Sequence, residues 1–290
     1  MSRVALCWPN RIDEATLSSS GASWVSTLPL ANLKDRILKK VARTAAATSV
    51  TIGVLLPTER LIGVVALVNH NLSVKATMRV KAYEGVNSAT KLLFDSGANY
   101  RVWPIIQKPK SMAWNSSNFW LGTIEEEQRQ SYTPFAAYFA ALNKGGQFIE
   151  ITITDTNNTD GYIQVGRLFV GQWIEPEFNP GYGGITHGYV DPTEIQEVPS
   201  AGTEYFYEHA KKRTVSLSWE HLSLSDAFSG VYDAYRSQGV SREVLYAYSK
   251  NPLDANFYAR MFLGRFSSLD PIGMPYFNAY SASINLQEIL

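Results

Sequence analysis

A single cysteine, Cys7, is all that this chain of 290 residues contains. No internal disulfide can form, and nothing in the thiol content requires an oxidising compartment. Charge of either sign is not in excess: 26 Lys and Arg balance 26 Asp and Glu. That excludes a general nucleic-acid or anionic-membrane binder, which needs a basic surplus. No window approaches the roughly 18 uncharged apolar residues of a spanning helix. The N-terminus, MSRVALCWPNRIDEA, has too short an apolar run for a signal peptide and is broken by Pro9. Gly-x-Ser-x-Gly, Walker and His-Glu-x-x-His patterns are missing. The four histidines, His70, His187, His209 and His221, stand apart without zinc-like spacing to cysteine or carboxylate, and read as solvated or satisfied side chains. No tandem repeat is found. The expectation is a soluble chain made in the cytosol, without enzymatic activity, cofactor or metal.

What is abundant is aromatic and β-branched. Tyr numbers 16 and Trp 7, residues that join large contact area to a polar tip and suit cores and interfaces alike. The stretch around which the chain is organised is Arg60 to Tyr83. Leu61 to Val68 is an almost unbroken apolar run, fit for a strand covered on both faces. Asn69-His70-Asn71 supplies turn chemistry. After it, Ala76, Met78, Val80 and Ala82 alternate with polar neighbours, the period-2 pattern of a half-buried strand.

Other strands are expected at Val4 to Trp8 and at Val50 to Leu56 (ended by Pro57), while Lys91 to Phe94 lies between a polar turn region and the turn Asp95 to Gly97. Phe148 to Thr154 and Tyr162 to Val170 should pair as a hairpin across the turn Asp155 to Gly161. Asp35 to Lys40 predicts a helical turn or two, and Ala136 to Asn143 a short helix closed by Gly145-Gly146. The segment from Pro176 to Pro199, rich in proline and glycine, predicts a linker. Beyond it come a strand from Arg213 to Trp219, a helix and three more strands (Glu243 to Tyr248, Phe257 to Phe266, Tyr276 to Gln287). The helix has Ser223 as N-cap, an apolar stripe through Val231 and Tyr235, and Gly239 past its end. This gives domains at 1–175 and 200–290 joined by 176–199.

Few residues stand out as sites. Cys7 reads as a small buried residue. The Asp155–Asp160 turn offers oxygens for Ca²⁺, but it lacks the spaced carboxylates of a calcium loop, and Asx-turn chemistry accounts for it. Glu125-Glu126-Glu127 reads as a solvated face. Between Trp103 and Phe139 lies a long aromatic stretch, where Trp114 and Trp120 are the candidate contacts for a sugar face or for a neighbouring subunit.

Trp8-Pro9-Asn10, Leu28-Pro29-Leu30-Ala31-Asn32-Leu33, Val41-Ala42-Arg43, the run from Ile62 to Asn71, and Gly161 to Gly171 followed by Trp173 resemble the N-terminal part of a group of tailed-bacteriophage virion proteins. These proteins resemble discoidin-like (galactose-binding-like) jelly rolls. The pattern from Arg213 through Gly239 to Leu290 resembles the sandwich-plus-helix module of tail tubes and distal tail proteins. The resemblance implies a mainly β chain: an N-terminal jelly-roll β-sandwich plus a C-terminal β-sandwich with one packed helix. It also implies a virion protein of the tail tip, made in the host cytoplasm. Its partners would be copies of itself in a cyclic, hexameric ring, other tail proteins, and host-surface glycan reached through the jelly roll.

Overall fold

The computed structural model describes residues 3–104, 114, 122, 129, 132–198, 203–251 and 257–290. In chain order its strands are β1 (Ala5–Cys7), β2 (Thr16–Ser20), β3 (Ala42–Arg43), β4 (Ser49–His70), β5 (Thr77–Tyr83), β6 (Leu92–Asp95), β7 (Tyr100–Arg101), β8 (Phe135–Thr154), β9 (Gln164–Gly171) and β10 (Trp173–Ile174). They continue as β11 (Ile185–Val190), β12 (Glu194–Val198), β13 (Thr203–Tyr207), β14 (Lys212–Leu222), β15 (Glu243–Ala247), β16 (Met261–Phe266), β17 (Gly273–Tyr276) and β18 (Ala279–Glu288). A helical stretch, α1, covers 226–238. The chain is mainly β and divides into two compact units. One is Met1–Glu175 with Leu245–Phe262; the other is Pro176–Val244 with Leu263–Leu290.

The first unit is an antiparallel β-sandwich built on two long strands. The first half of β4 pairs with β2 and with the end of β8, and β5 continues outward to β6 and β7. Its second half pairs instead with the start of β8 and with β9, whose outer neighbour is β3. Between the halves, the β4–β8 register shifts from Leu55 to Arg60. Pro57 stands exposed in that interruption, where its missing N–H leaves no ladder bond unmade, so the strand runs past it instead of ending there.

Ile62, Val64, Val65, Ala66 and Leu67 are fully buried, as an unbroken apolar run requires. The second cover comes from the N-terminal segment. Asn10 donates to Leu168 O and accepts from Val170 N, and Asn69 donates to Leu38 O. The fully buried Arg167 reaches Asp13 at 2.6 Å and Leu33 O at 3.4 Å. Ala76, Met78, Val80 and Ala82 all face the core, as their alternation predicts.

Two helical expectations fail here for tertiary reasons. Residues 136–143 are strand, because Val68 to Val64 of β4 pair with Phe135 to Phe139 and complete the ladder beside the buried run. The local preference of an alanine-rich segment is overridden. The turn expected at 35–40 falls earlier, as a 3₁₀ turn at Leu30–Lys34.

In the second unit, Val215, Leu217 and Trp219 of β14 point to one buried face, matched by Ala282, Ile284 and Leu286 of β18. The helix packs through Ala227, Val231 and Ala234, and Tyr235 donates to Ser283 O at 2.6 Å. Ser223 Oγ accepts from Asp226 N, the capping bond expected, and Gly239 ends the helix at φ +54°. The first seven residues, Asp226–Tyr232, adopt π-helical bonding. Arg213 and Glu288 form a buried ion pair, with the Arg213 Nε donating at 2.9 Å. The segment 176–199 is no plain linker: β11 pairs with β14 along its whole length and β12 with β13. Residues 245–262 leave the C-terminal half and join the first unit, where Leu6 opposes Tyr246.

Val65 opposes Tyr138 on one side and Val170 on the other and is wholly buried. An uncompensated carboxylate there costs several kcal/mol, a large part of a domain's stability. Val65→Asp should therefore yield no soluble folded chain. Expression and thermal melting test this, and a wild-type melting curve would refute the role given to β4.

Candidate functional site

At one end of the first unit, three stretches meet. Near the end of β4, Asn69 lies in the left-handed region (φ +58°) and redirects the chain that follows. Asp155, buried at the end of β8, accepts from Ser73 N at 2.7 Å and from Ser73 Oγ, so the 70–74 segment is held fast. The 155–160 turn is closed on itself, with Asn158 Oδ1 accepting from Asp160 N at 2.9 Å. Asn71 ties the two together: its amide donates to Asp160 Oδ2 at 2.9 Å and Tyr162 O at 3.0 Å, and its carbonyl accepts from Gln164 N. The carboxylates of this turn thus act as acceptors for neighbouring protein groups. Among the described residues no three His, Cys, Asp or Glu side chains gather to hold a metal.

Between these stretches lies a cavity of about 460 Å³. His70 and Trp103 form its aromatic wall, with ring centroids 5.5 Å apart in an edge-on arrangement. Trp103 is fixed by its Nε1 donating to Leu72 O at 3.0 Å and by packing against Tyr258 at 4.9 Å. The Arg129 guanidinium sits 5.5 Å from the Trp103 ring. Asn157 and Thr159, both exposed, contribute to the rim.

His70 is 4% exposed and is the unusual group of this site. Its Nδ1 accepts from Leu72 N at 3.3 Å, which places the proton of the neutral ring on Nε2. Nε2 has no hydrogen-bond partner among the described residues. Burial, and secondarily the Arg129 charge, push the pKa of His70 down to about 3. The ring is therefore a neutral donor at ordinary pH.

The cavity matches the size range of small-molecule sites: an apolar ring, a few fixed polar groups, no net demand for charge. Such a surface suits a polyol. Trp114 is exposed and does not line this cavity, while Trp120 and Glu125–Glu127 lie outside the described residues. Cys7 is buried, with its thiol pKa raised by that burial. Sequence reasoning placed His70 in a turn and Trp103 in an aromatic stretch; only the fold brings them to the Asp155–Asp160 turn.

The depressed His70 pKa has a stability consequence. The unfolded chain takes up the proton near pH 6.5, whereas the folded chain resists down to about 3. Stability is thus full above about 6.5 and falls as pH drops below it, by about 1.4 kcal/mol per unit. Between about pH 7.5 and pH 5 the loss should be roughly 2 kcal/mol, or roughly 4–8 °C in melting temperature. Calorimetry of wild type and His70→Gln at both pH values checks this. The variant should lose most of the difference, and an unchanged difference would refute it.

No family model matches the chain, and no curated protein matches it. Solved structures do. The family 32 carbohydrate-binding module of C. perfringens NanJ, in complex with galactose, is similar at 15% identity and TM-score 0.37, over 59% of this chain and 99% of that one. The lectin domain of lectinolysin in complex with Lewis b is similar at 12% identity and TM-score 0.36, over 57% and 96%. A chitosan-binding module from a Paenibacillus chitosanase/glucanase is similar at 10% identity and TM-score 0.39, over 57% and 100%.

Proposed function

We propose that the first unit is a glycan-binding module acting without turnover, with the cavity beside Trp103 as its site. The observation that carries this reading is the cavity of about 460 Å³, walled by the fixed rings of His70 and Trp103 and rimmed by Asn157 and Thr159. Galactose, fucose and Lewis-type glycans are the first probes, chosen from the sugars in the fold relatives' complexes.

A glycan array with the full chain tests the reading. Retention of at least one glycan is expected, with affinity falling about tenfold in Asn157→Ala/Thr159→Ala, as the loss of two rim hydrogen bonds implies. No glycan retained at millimolar concentration would overturn the function. Binding lost only in Trp114→Ala or Trp120→Ala would overturn the placement.

A second reading has its own support. In it the chain is a structural virion protein of a phage tail tip, whose copies form a ring and join other tail proteins. The support is surface chemistry: among the described residues, exposed large apolar side chains concentrate in the second unit, including Tyr189, Ile195, Phe206, Phe228, Tyr232, Tyr276 and Phe277. Patches of this kind mark association surfaces. Light scattering should then give a mass that is a multiple of the 32.3 kDa chain. A monomer at every concentration would refute it.

A further inference from the structure

Trp103 walls the cavity from a loop, two residues past the end of β7. Two hydrogen bonds tether it: Val102 N donates to Ala76 O at 3.1 Å, and the indole Nε1 donates to Leu72 O at 3.0 Å. A bond at Nε1 fixes one edge of an indole and leaves the plane free to tilt about that edge. A wall that tilts must be ordered by the ligand, and that ordering is subtracted from affinity. Three partners of the Trp103 side chain, His70, Leu72 and Arg129, line the cavity themselves. Tyr258 does not.

Tyr258 belongs to the segment 245–262, which the chain delivers to the first unit only after most of the second unit's strands. Its ring packs on Trp103 with centroids 4.9 Å apart and planes inclined by 41°. Its hydroxyl donates to Val102 O at 3.3 Å, the carbonyl directly before Trp103. One side chain therefore holds two consecutive residues, Val102 by its backbone and Trp103 by its ring. Tyr258 is itself set in place. Phe257 packs edge-on against it at 5.6 Å, and Arg260 N donates to Phe257 O. Tyr248 N donates to Arg260 O at 3.0 Å, and just before Tyr248 in the chain Ala247 pairs with Ala5 of β1. Phe257 and Tyr258 are both buried.

We propose that Tyr258 is a positioning residue for the glycan site, holding the Trp103 indole as a fixed wall of the cavity, so that the site is completed by a residue 155 positions further along the chain. The residue touches no ligand and acts through Trp103. Its contribution is preorganisation, which improves affinity without adding a contact. The glycan-binding module is then discontinuous in sequence, and residues 1–175 alone lack part of its support.

The inference rests on the glycan-binding reading given above, and the experiment separates the two. Galactose, fucose and Lewis b glycan are titrated by calorimetry into the full chain and into Tyr258→Leu, Tyr258→Phe and Leu245→Val. The temperature is one at which circular dichroism shows each fully folded. Tyr258→Met is measured alongside, so that the test survives if Tyr258→Leu does not fold. The same proteins labelled with 5-fluorotryptophan report the Trp103 line by fluorine NMR, assigned with Trp103→Phe. Tyr258→Leu should bind about three- to tenfold more weakly, with the Trp103 line broadened or split. Tyr258→Phe keeps the ring and should stay within about twofold of wild type. Leu245 is buried in the same segment and opposes Cys7, so Leu245→Val should lower the melting temperature and leave affinity and line unchanged. A change in affinity without a change in the Trp103 line, or the reverse, would overturn the positioning role. So would a folded Tyr258→Leu that matches wild type in both, or an equal loss of affinity in Leu245→Val. In each of these cases wild type still binds and the glycan reading stands. A wild type that binds none of the three sugars at millimolar concentration would overturn both.

Discussion

The second half of β4 has no polar face. From Ile62 to Val68 every residue is buried, so its backbone must be paired on both edges and both its sheet faces must be covered. β8 and β9 take the edges, and the other strands of the sandwich supply one cover. The remaining face is closed by residues from Asn10 to Leu38, an irregular segment that must bring its own hydrogen bonds. It does so through Asn10, and through the carbonyls of Leu33 and Leu38 offered to Arg167 and Asn69. Burying Arg167 is costly unless its charge is met, and Asp13 meets it. The N-terminal segment is therefore part of the sandwich rather than an appendage.

The same strand also positions the candidate site. Where the apolar run stops, Asn69 turns the backbone into the left-handed region, and Asn71 and Ser73 are then fixed by the polar turn that follows β8. The cavity is bounded by groups whose hydrogen bonds are mostly made within the protein. Little ordering remains for a ligand to impose, which favours affinity from few contacts. The Nε2 of His70 is the exception, with no partner among the described residues.

Period and composition were enough to place the two halves of β4, though not their continuity past Pro57, and β5, the β8–β9 turn, the start and stop of α1, and the inward face of β14. Each depends on local pattern. The reading of 136–143 as helix was defeated by pairing to a partner some seventy residues away, which no local window contains. Proline and glycine made 176–199 look like a linker. Gly188 sits inside β11, and Pro176, Pro180 and Pro192 fall outside the strands, so the punctuation was real but bounded short paired segments. The site was illegible for a related reason. His70, Trp103 and Asn158 each have an ordinary local explanation, and their chemistry arises only from being brought together.

The two units dispose of their surfaces in opposite ways. The first encloses its aromatic ring beside a polar rim, whereas the second leaves aromatic rings in water on β13, on the helix and at Phe277. A single shallow polyol site exchanges hydrogen bonds to water for those to protein and gains little per contact, so on the proposed function one copy alone would hold a glycan weakly. On the glycan and assembly readings together, association through the second unit would present several such cavities to one surface. Linked sites raise overall avidity by roughly 10²–10⁴-fold without any new contact, provided the geometry lets them engage at once. The exposed aromatics would then serve binding indirectly, and a loss of assembly would weaken attachment to a multivalent surface while leaving affinity for a free sugar unchanged.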